Sequence, residues 1–205
     1  MIVYIETNFL MGAATGRDAK ADELLQIPAT QLQIAMPAAC IMEAWSAFED
    51  ERTRRKSFRD TLTQQLSQLE RDATSDHART LQTLLEQAIL ANGNLLNDID
   101  TRLRQIVQSV IGTDSSTSRV QLLPLALSPS LFMAEIMDDP TDDIILATII
   151  DHAQRHPAEE QVVLTGNSKH FDTAEVRAAL RNVGIDHYFS RTEAFLGWFR
   201  AQPRP

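Results

Sequence analysis

The sequence predicts an α/β protein, a parallel sheet with helices packed on its faces. Three observations carry that expectation. The chain opens on an apolar run, residues 2–5, that stops at Glu6. A second apolar segment, residues 162–164, stops at Thr165-Gly166-Asn167. Strand-like segments alternate with helical ones at both ends of the chain, the pattern that builds parallel sheets. An apolar run closed by a carboxylate delivers that acid to the rim of a sheet, where open α/β folds bind ligands.

Each element has a local reason. Residues 2–5 are the first strand. Residues 8–14 form a short helix released at Gly12 or Gly16. Asp18 caps a second helix over 19–26, with Asp22 and Glu23 early in it. Residues 32–36 make the second strand, and Pro37 opens the next helix. That helix runs through Glu43 as far as Arg71, with no Gly or Pro to stop it. Over 75–112 the spacing predicts a helical pair. Leu81, Leu84, Leu85 and Ala88 follow a 3.6 period, as do Ile99, Leu103, Ile106 and Val110, with a break at Asn92-Gly93-Asn94. A polar linker follows at 115–118, then a strand at 120–123 and a helix at 128–137. The remaining elements are a helix over 141–154 capped by Thr141, a buried strand at 162–164, a helix at 174–181, a strand at 187–189 and a last helix at 192–199.

The chain has 205 residues, and 43% of them are hydrophobic, which suits one domain spanning 1–205 with a helical insertion at about 50–115. Cys40 is the single cysteine, and no secretory signal is visible, so a reducing cytoplasm is the expected compartment. The apolar run 144–150 is too short to cross a bilayer. With a net charge of -9 and a pI near 5.0, the chain is not a general polyanion binder. A nucleic acid would need a local basic patch or metal ions. The acidic surface leaves room for a basic protein partner.

Four side chains share one kind of context. Glu6 ends a strand, Glu43 lies among small residues on the face of a helix, Asp142 stands in a first helical turn, and Asn167 follows a strand. Each has an ordinary explanation by itself: a first-turn acid, a partly exposed Glu, a helix-capping region, a turn Asn. Asp143 competes with Asp142, but one helical step turns it onto another face. Asp138 and Asp139 read as loop. Together the four place oxygen acceptors from four elements near one rim. Hard divalent cations such as Mg²⁺ or Mn²⁺ take such ligands, and the cation relieves the repulsion between the carboxylates.

At this point the sequence resembles a known family. Glu6-Thr7-Asn8 after a strand, Glu43 in the next helix, Asp142 opening a helix, and Leu164-Thr165-Gly166-Asn167 with Phe171 beyond look like the PIN domain. The resemblance covers about residues 1–48 and 128–190. It implies a three-layer α/β/α sandwich around a central parallel sheet. It also implies a divalent-metal-dependent endonuclease acting on single-stranded RNA, often the toxin of a toxin–antitoxin pair. By that resemblance Glu6, Glu43 and Asp142 are the catalytic, metal-binding acids, Asn167 takes the fourth ligand position, and Asn8 and Asp143 support the site. Three positions depart from the family pattern: Glu6 stands where Asp is usual, Asn167 where Asp is frequent, and His170 where an acid commonly precedes the Phe.

For substrate, Arg52, Arg55, Lys56 and Arg59 form a stripe at i, i+3, i+4, i+7 on the helix that carries Glu43, readable as a phosphate track leading from the acids or as a solvated, ion-paired face. Lys169 and His170 sit beside Asn167. Trp45 and Trp198 suit packing better than base stacking. The expected partners are single-stranded RNA and an antitoxin or other protein, with a homodimer left open and no membrane. The alternative function is a catalytically weak PIN-like scaffold acting through protein contacts. A phosphatase ranks last, because the first strand ends without a nucleophilic Asp.

Overall fold

Strand β1 (Ile2–Ile5) is buried along its whole length and lies at the centre of the sheet. In this computed structural model residues 1–71, 74–111, 120–125 and 139–202 are described. The sheet also contains β2 (Gln33–Pro37), β3 (Val120–Leu123), β4 (Gln161–Leu164) and β5 (His187–Phe189), in the order β3-β2-β1-β4-β5. All four pairings are parallel. Parallel strands need crossovers, and the chain supplies them as helices: α1 (Thr7–Thr15), α2 (Ala21–Leu25), α3 (Ala39–Leu69), α4 (Asp76–Ile111), α5 (Pro140–Arg155), α6 (Ser168–Phe171), α7 (Ala174–Arg181) and α8 (Thr192–Ala201). The predicted α/β class with a helical insertion is the observed one. The linker at 115–118, the helix at 128–137 and Asp138 lie outside the described residues.

Several local expectations change. Gly16, not Gly12, releases α1, taking φ +72° at the C-cap, a backbone region that glycine enters without steric cost. Pro37 closes β2 rather than opening α3; β1 pairs with β2 only as far as Ala35, so the missing N–H forfeits no bond to β1. The cap of α5 is Asp139, whose carboxylate accepts from the Thr141 N–H at 2.7 Å, with Pro140 in the first turn. α6 is an added turn of helix after β4.

The predicted pair over 75–112 is instead one helix, α4. Asn92 does not break it because its side chain is already satisfied across the α3–α4 interface. It donates to the Arg55 carbonyl at 3.1 Å and accepts from Arg55 Nη1 at 3.2 Å. The C-terminal half of α4 places Ile99, Leu103, Val107 and Val110 in the main core, where α4 packs on α1 and β3. The outer half leaves Leu81, Leu84 and Leu90 exposed. A Cβ added at Gly93 meets nothing within 4 Å. Gly93→Ala is therefore expected to raise stability by roughly 0.5–1 kcal/mol in urea denaturation; a loss would mean that residue 93 needs a turn conformation and that α4 is broken there.

Below the sheet rim, Tyr4 links two elements. Its hydroxyl donates to Gln161 Oε1 at 3.0 Å and meets His152 Nδ1 at 2.9 Å, tying α5 to β1 and β4. Trp198 packs with Phe189 and Phe195, and Trp45 lies under the Arg104 guanidinium at 5.0 Å, so both indoles serve packing.

Candidate active site

The carboxyl ends of β1 and β4 are neighbours, since Ile5 pairs with Leu164. The residues that follow them therefore meet at one rim. Glu6 is 3% exposed and caps α1, with Oε2 accepting the Asn8 N–H at 2.7 Å. Its other oxygen accepts the Thr165 hydroxyl at 2.9 Å and the Gly166 N–H at 3.2 Å. Gly166 contributes through that N–H and not through a left-handed turn; among the described glycines only Gly16 and Gly184 have positive φ.

Hydrogen bonds join Glu6, Asn167 and Asp142 through Thr165, and Glu43 joins them through Thr7. Glu43 accepts the Thr7 hydroxyl, and Thr7 is next to Glu6 in the chain. Glu6 holds Thr165, and Thr165 Oγ1 accepts the Asn167 N–H at 3.0 Å. Asn167 Nδ2 donates to Asp142 Oδ2 at 3.2 Å, and His170 Nδ1 reaches the same oxygen at 2.5 Å. Asp142 is buried, and Asp143 is only half-buried. Asn167 meets Asp142 through its amide nitrogen, so here it orients the carboxylate.

Charge in this hollow is out of balance. Burial pushes the Glu6 carboxyl up to about 7 against the hydrogen bonds from Asn8, Thr165 and Gly166, and the Glu43 charge adds a smaller rise. Burial also raises Glu43, and the charges of Asp142 and Asp139 add to that rise against the Thr7 hydrogen bond. Neighbouring acids that resist joint ionisation are what a cation corrects. Among the described residues no three His, Cys, Asp or Glu side chains converge closely enough to hold one ion. Mg²⁺ asks for less, since it is commonly held by one or two carboxylates, keeps several waters and takes the rest of its ligands from a substrate phosphate. The donor set fits such an ion in charge and in hardness.

The basic stripe is not brought to the acids. On an α-helix of 3.6 residues per turn, Arg52 to Arg59 centre roughly half a turn around α3 from Glu43, and about 14–24 Å along it. They line a separate groove of about 330 Å³ with Asn92, Gly93 and Leu96 of α4. Three of them are ion-paired within α3: Arg52 with Glu49, Arg55 with Glu51, Arg59 with Asp60. Lys169 is exposed on α6, beside Asn167 in sequence.

Sequence reasoning passed over Thr7, Thr165 and Asp139, and gave His170 little weight. The missed signal was a hydroxyl directly beside an acid or at the end of a buried strand, Glu6-Thr7 and Leu164-Thr165. Thr165 is fully buried. Thr165→Val keeps its shape but removes a donor to Glu6 and an acceptor for Asn167; it is expected to cost roughly 1–3 kcal/mol by thermal denaturation, and a neutral result would mean that those bonds carry no net stability.

A parallel α/β sheet with buried acids hydrogen-bonded along one carboxyl-end rim defines the class: an acid-rim α/β protein with its ligand face at the strand ends. A family model for the PIN domain matches residues 3–171, and the chain belongs to that family. PIN domains are generally nucleases and typically depend on divalent metals. No curated protein and no solved structure matches the chain. Among the described residues no helix is long and apolar enough to cross a membrane.

Proposed function

We propose that this protein is a divalent-metal-dependent endoribonuclease that hydrolyses phosphodiester bonds of single-stranded RNA. The observation that carries the reading is the gathering of Glu43, Glu6 and Asp142 at one rim, where burial and the charges of neighbouring acids raise the Glu6 and Glu43 carboxyls. Glu43 and Asp142 would hold Mg²⁺ or Mn²⁺, with Glu6 behind them and Asn167 turning its amide over to offer oxygen. A bound divalent ion supplies neutralisation of phosphate charge and a more acidic water. The protein's own part is to position and to hold protons. Thr7 and Thr165 fix the directions of Glu43 and Glu6. Asn167 and His170 fix Asp142. Glu6, titrating near neutrality, can accept a proton at its carboxylate as water is consumed.

Lys169 would contact phosphate near the cut. The stripe Arg52, Arg55, Lys56 and Arg59 would take only an outer stretch of a longer RNA, given its place on the far flank of α3. We also place the protein in the cytoplasm as a single PIN-like domain over 1–205, carrying its helical insertion at about 50–115, and as the toxin of a toxin–antitoxin pair, with a basic antitoxin segment matched to its acidic charge and a homodimer as its assembly.

The test is RNA cleavage with Mn²⁺ or Mg²⁺ and with excess chelator. Cleavage that persists in chelator, or no cleavage under any divalent ion, rejects the metal-dependent reading. The second reading, a PIN-like scaffold, is favoured by the acids already being satisfied by protein donors and by no three of them converging on one point. Calorimetry separates the two. Micromolar Mn²⁺ binding that is lost in Glu43→Gln counts against the scaffold.

A further inference from the structure

We infer that the cavity beside Glu6 is a nucleotide subsite that seats the residue of RNA next to the cut, with its phosphate on Arg17 and Arg191. The inference rests on the ribonuclease reading for its place in a reaction, but not for binding. The cavity is about 450 Å³, within the range of small-ligand pockets, roughly 300–1,000 Å³. Asn8 and Gly166 form the wall it shares with the acids, and both donate backbone N–H groups to Glu6. A ligand filling it therefore ends against the acid line.

Its charge differs from that of the rest of the molecule. The chain as a whole carries -9. The cavity is lined by Arg17, Lys20 and Arg191 against two acids, Asp18 and Glu193. Asp18 is already committed, accepting the Thr192 hydroxyl with one oxygen and the Lys20 N–H with the other at 3.0 Å. Lys20 is paired with Glu23 at 2.9 Å. Glu193 stands in the first turn of α8, where a helix favours an acid. Among the described residues Arg17 and Arg191 have no ion-pair partner, and both are exposed. Here the cavity differs from the α3–α4 groove, whose arginines are internally paired.

The two arginines sit on separate loops, one between α1 and α2 and one between β5 and α8. The Asp18–Thr192 bond clamps those loops together, so the guanidinium groups are carried by one braced frame. A phosphodiester repelled by buried acids needs positive charge at their border, and this frame provides it. Phe9 and Met11 give the cavity an apolar side for a base, while Asn8 and Ser190 offer polar groups at its edge.

The experiment uses the full-length chain carrying Asp142→Asn and a fluorescein-labelled single-stranded hexaribonucleotide of mixed sequence, read by anisotropy. Arg17→Ala and Arg191→Ala are each expected to weaken binding about tenfold, the worth of one charge-assisted contact. Arg191→Lys should recover most of the loss, because a phosphate contact needs mainly the charge. Arg181→Ala, an exposed arginine on α7 outside the cavity, should leave affinity within twofold. In the parent chain Arg191→Ala should raise KM about tenfold and change kcat far less. No measurable binding, affinity in both cavity variants equal to that of the Asp142→Asn chain without them, or an equal loss in Arg181→Ala overturns the subsite. If the parent chain cleaves no RNA while the cavity variants still lose hexamer binding, the ribonuclease reading fails and the subsite stands.

Discussion

Asp142→Asn is expected to lower RNA cleavage at least about 100-fold while the fold stays intact. The substitution keeps the volume and one oxygen but removes the charge. Asp142 is buried at the first turn of α5 and receives Asn167 Nδ2 and His170 Nδ1. Those donors aim its carboxylate, and losing an aiming partner of a metal ligand typically costs about 10–100-fold. Losing the ligand charge itself should cost more. The measurement is single-turnover cleavage of a labelled single-stranded RNA in Mn²⁺, with circular dichroism and a melting curve to verify the fold. Activity within a few-fold of the parent would remove Asp142 from the chemistry. His170→Ala should give a smaller loss, because Asn167 still holds the carboxylate.

The second large effect is on stability, and it follows from Glu6. Its carboxyl is raised from 4.5 to about 7, chiefly by burial. Between those values the folded chain binds more protons than the unfolded one, so stability is fully present below about 4.5 and falls as pH rises through about 7. At about 1.4 kcal/mol per pH unit, the interval amounts to about 3 kcal/mol. His152 acts in the opposite sense, since burial lowers it and favours its neutral form as pH rises. The informative quantity is therefore the difference between the parent and Glu6→Gln. In metal-free buffer the parent should lose about 2.5 kcal/mol more than Glu6→Gln between pH 5 and pH 8 in urea denaturation. Adding Mn²⁺ should stabilise the parent more at pH 8 than at pH 5, because a cation favours ionised acids. Parallel pH profiles would show that Glu6 is ionised at little cost and that the acid rim is not short of positive charge. Glu6→Gln also gives up one capping acceptor for α1, which lowers its stability at every pH without altering the slope.

Much of the candidate site could be read from the chain because three of the four ligand candidates lie at the ends of elements. Glu6, Asp142 and Asn167 are legible for that reason, and Glu43 because its helical neighbours are small. Thr165 was harder to see: a hydroxyl at the end of a strand has many ordinary uses, and only the adjacency of β1 and β4 puts it against Glu6. The basic stripe shows the converse. Its spacing is regular and its members do line one groove, yet the same helical geometry that aligns them carries them about half a turn away from Glu43.

What the amino-acid order determined by itself is whatever rests on neighbours along the chain: the buried strands, the helices between them, the acids at their ends. α4 went beyond that reach. Asn92-Gly93 reads as a break because isolated backbone prefers one there, and the helix runs on because Arg55, 37 residues earlier, satisfies the Asn92 side chain. The pairing of acids with their holders was likewise decided in three dimensions, as were the raised Glu6 carboxyl and the two arginines beside the cavity. Electrostatic energy depends on distance and burial, and neither is a property of spacing along the sequence.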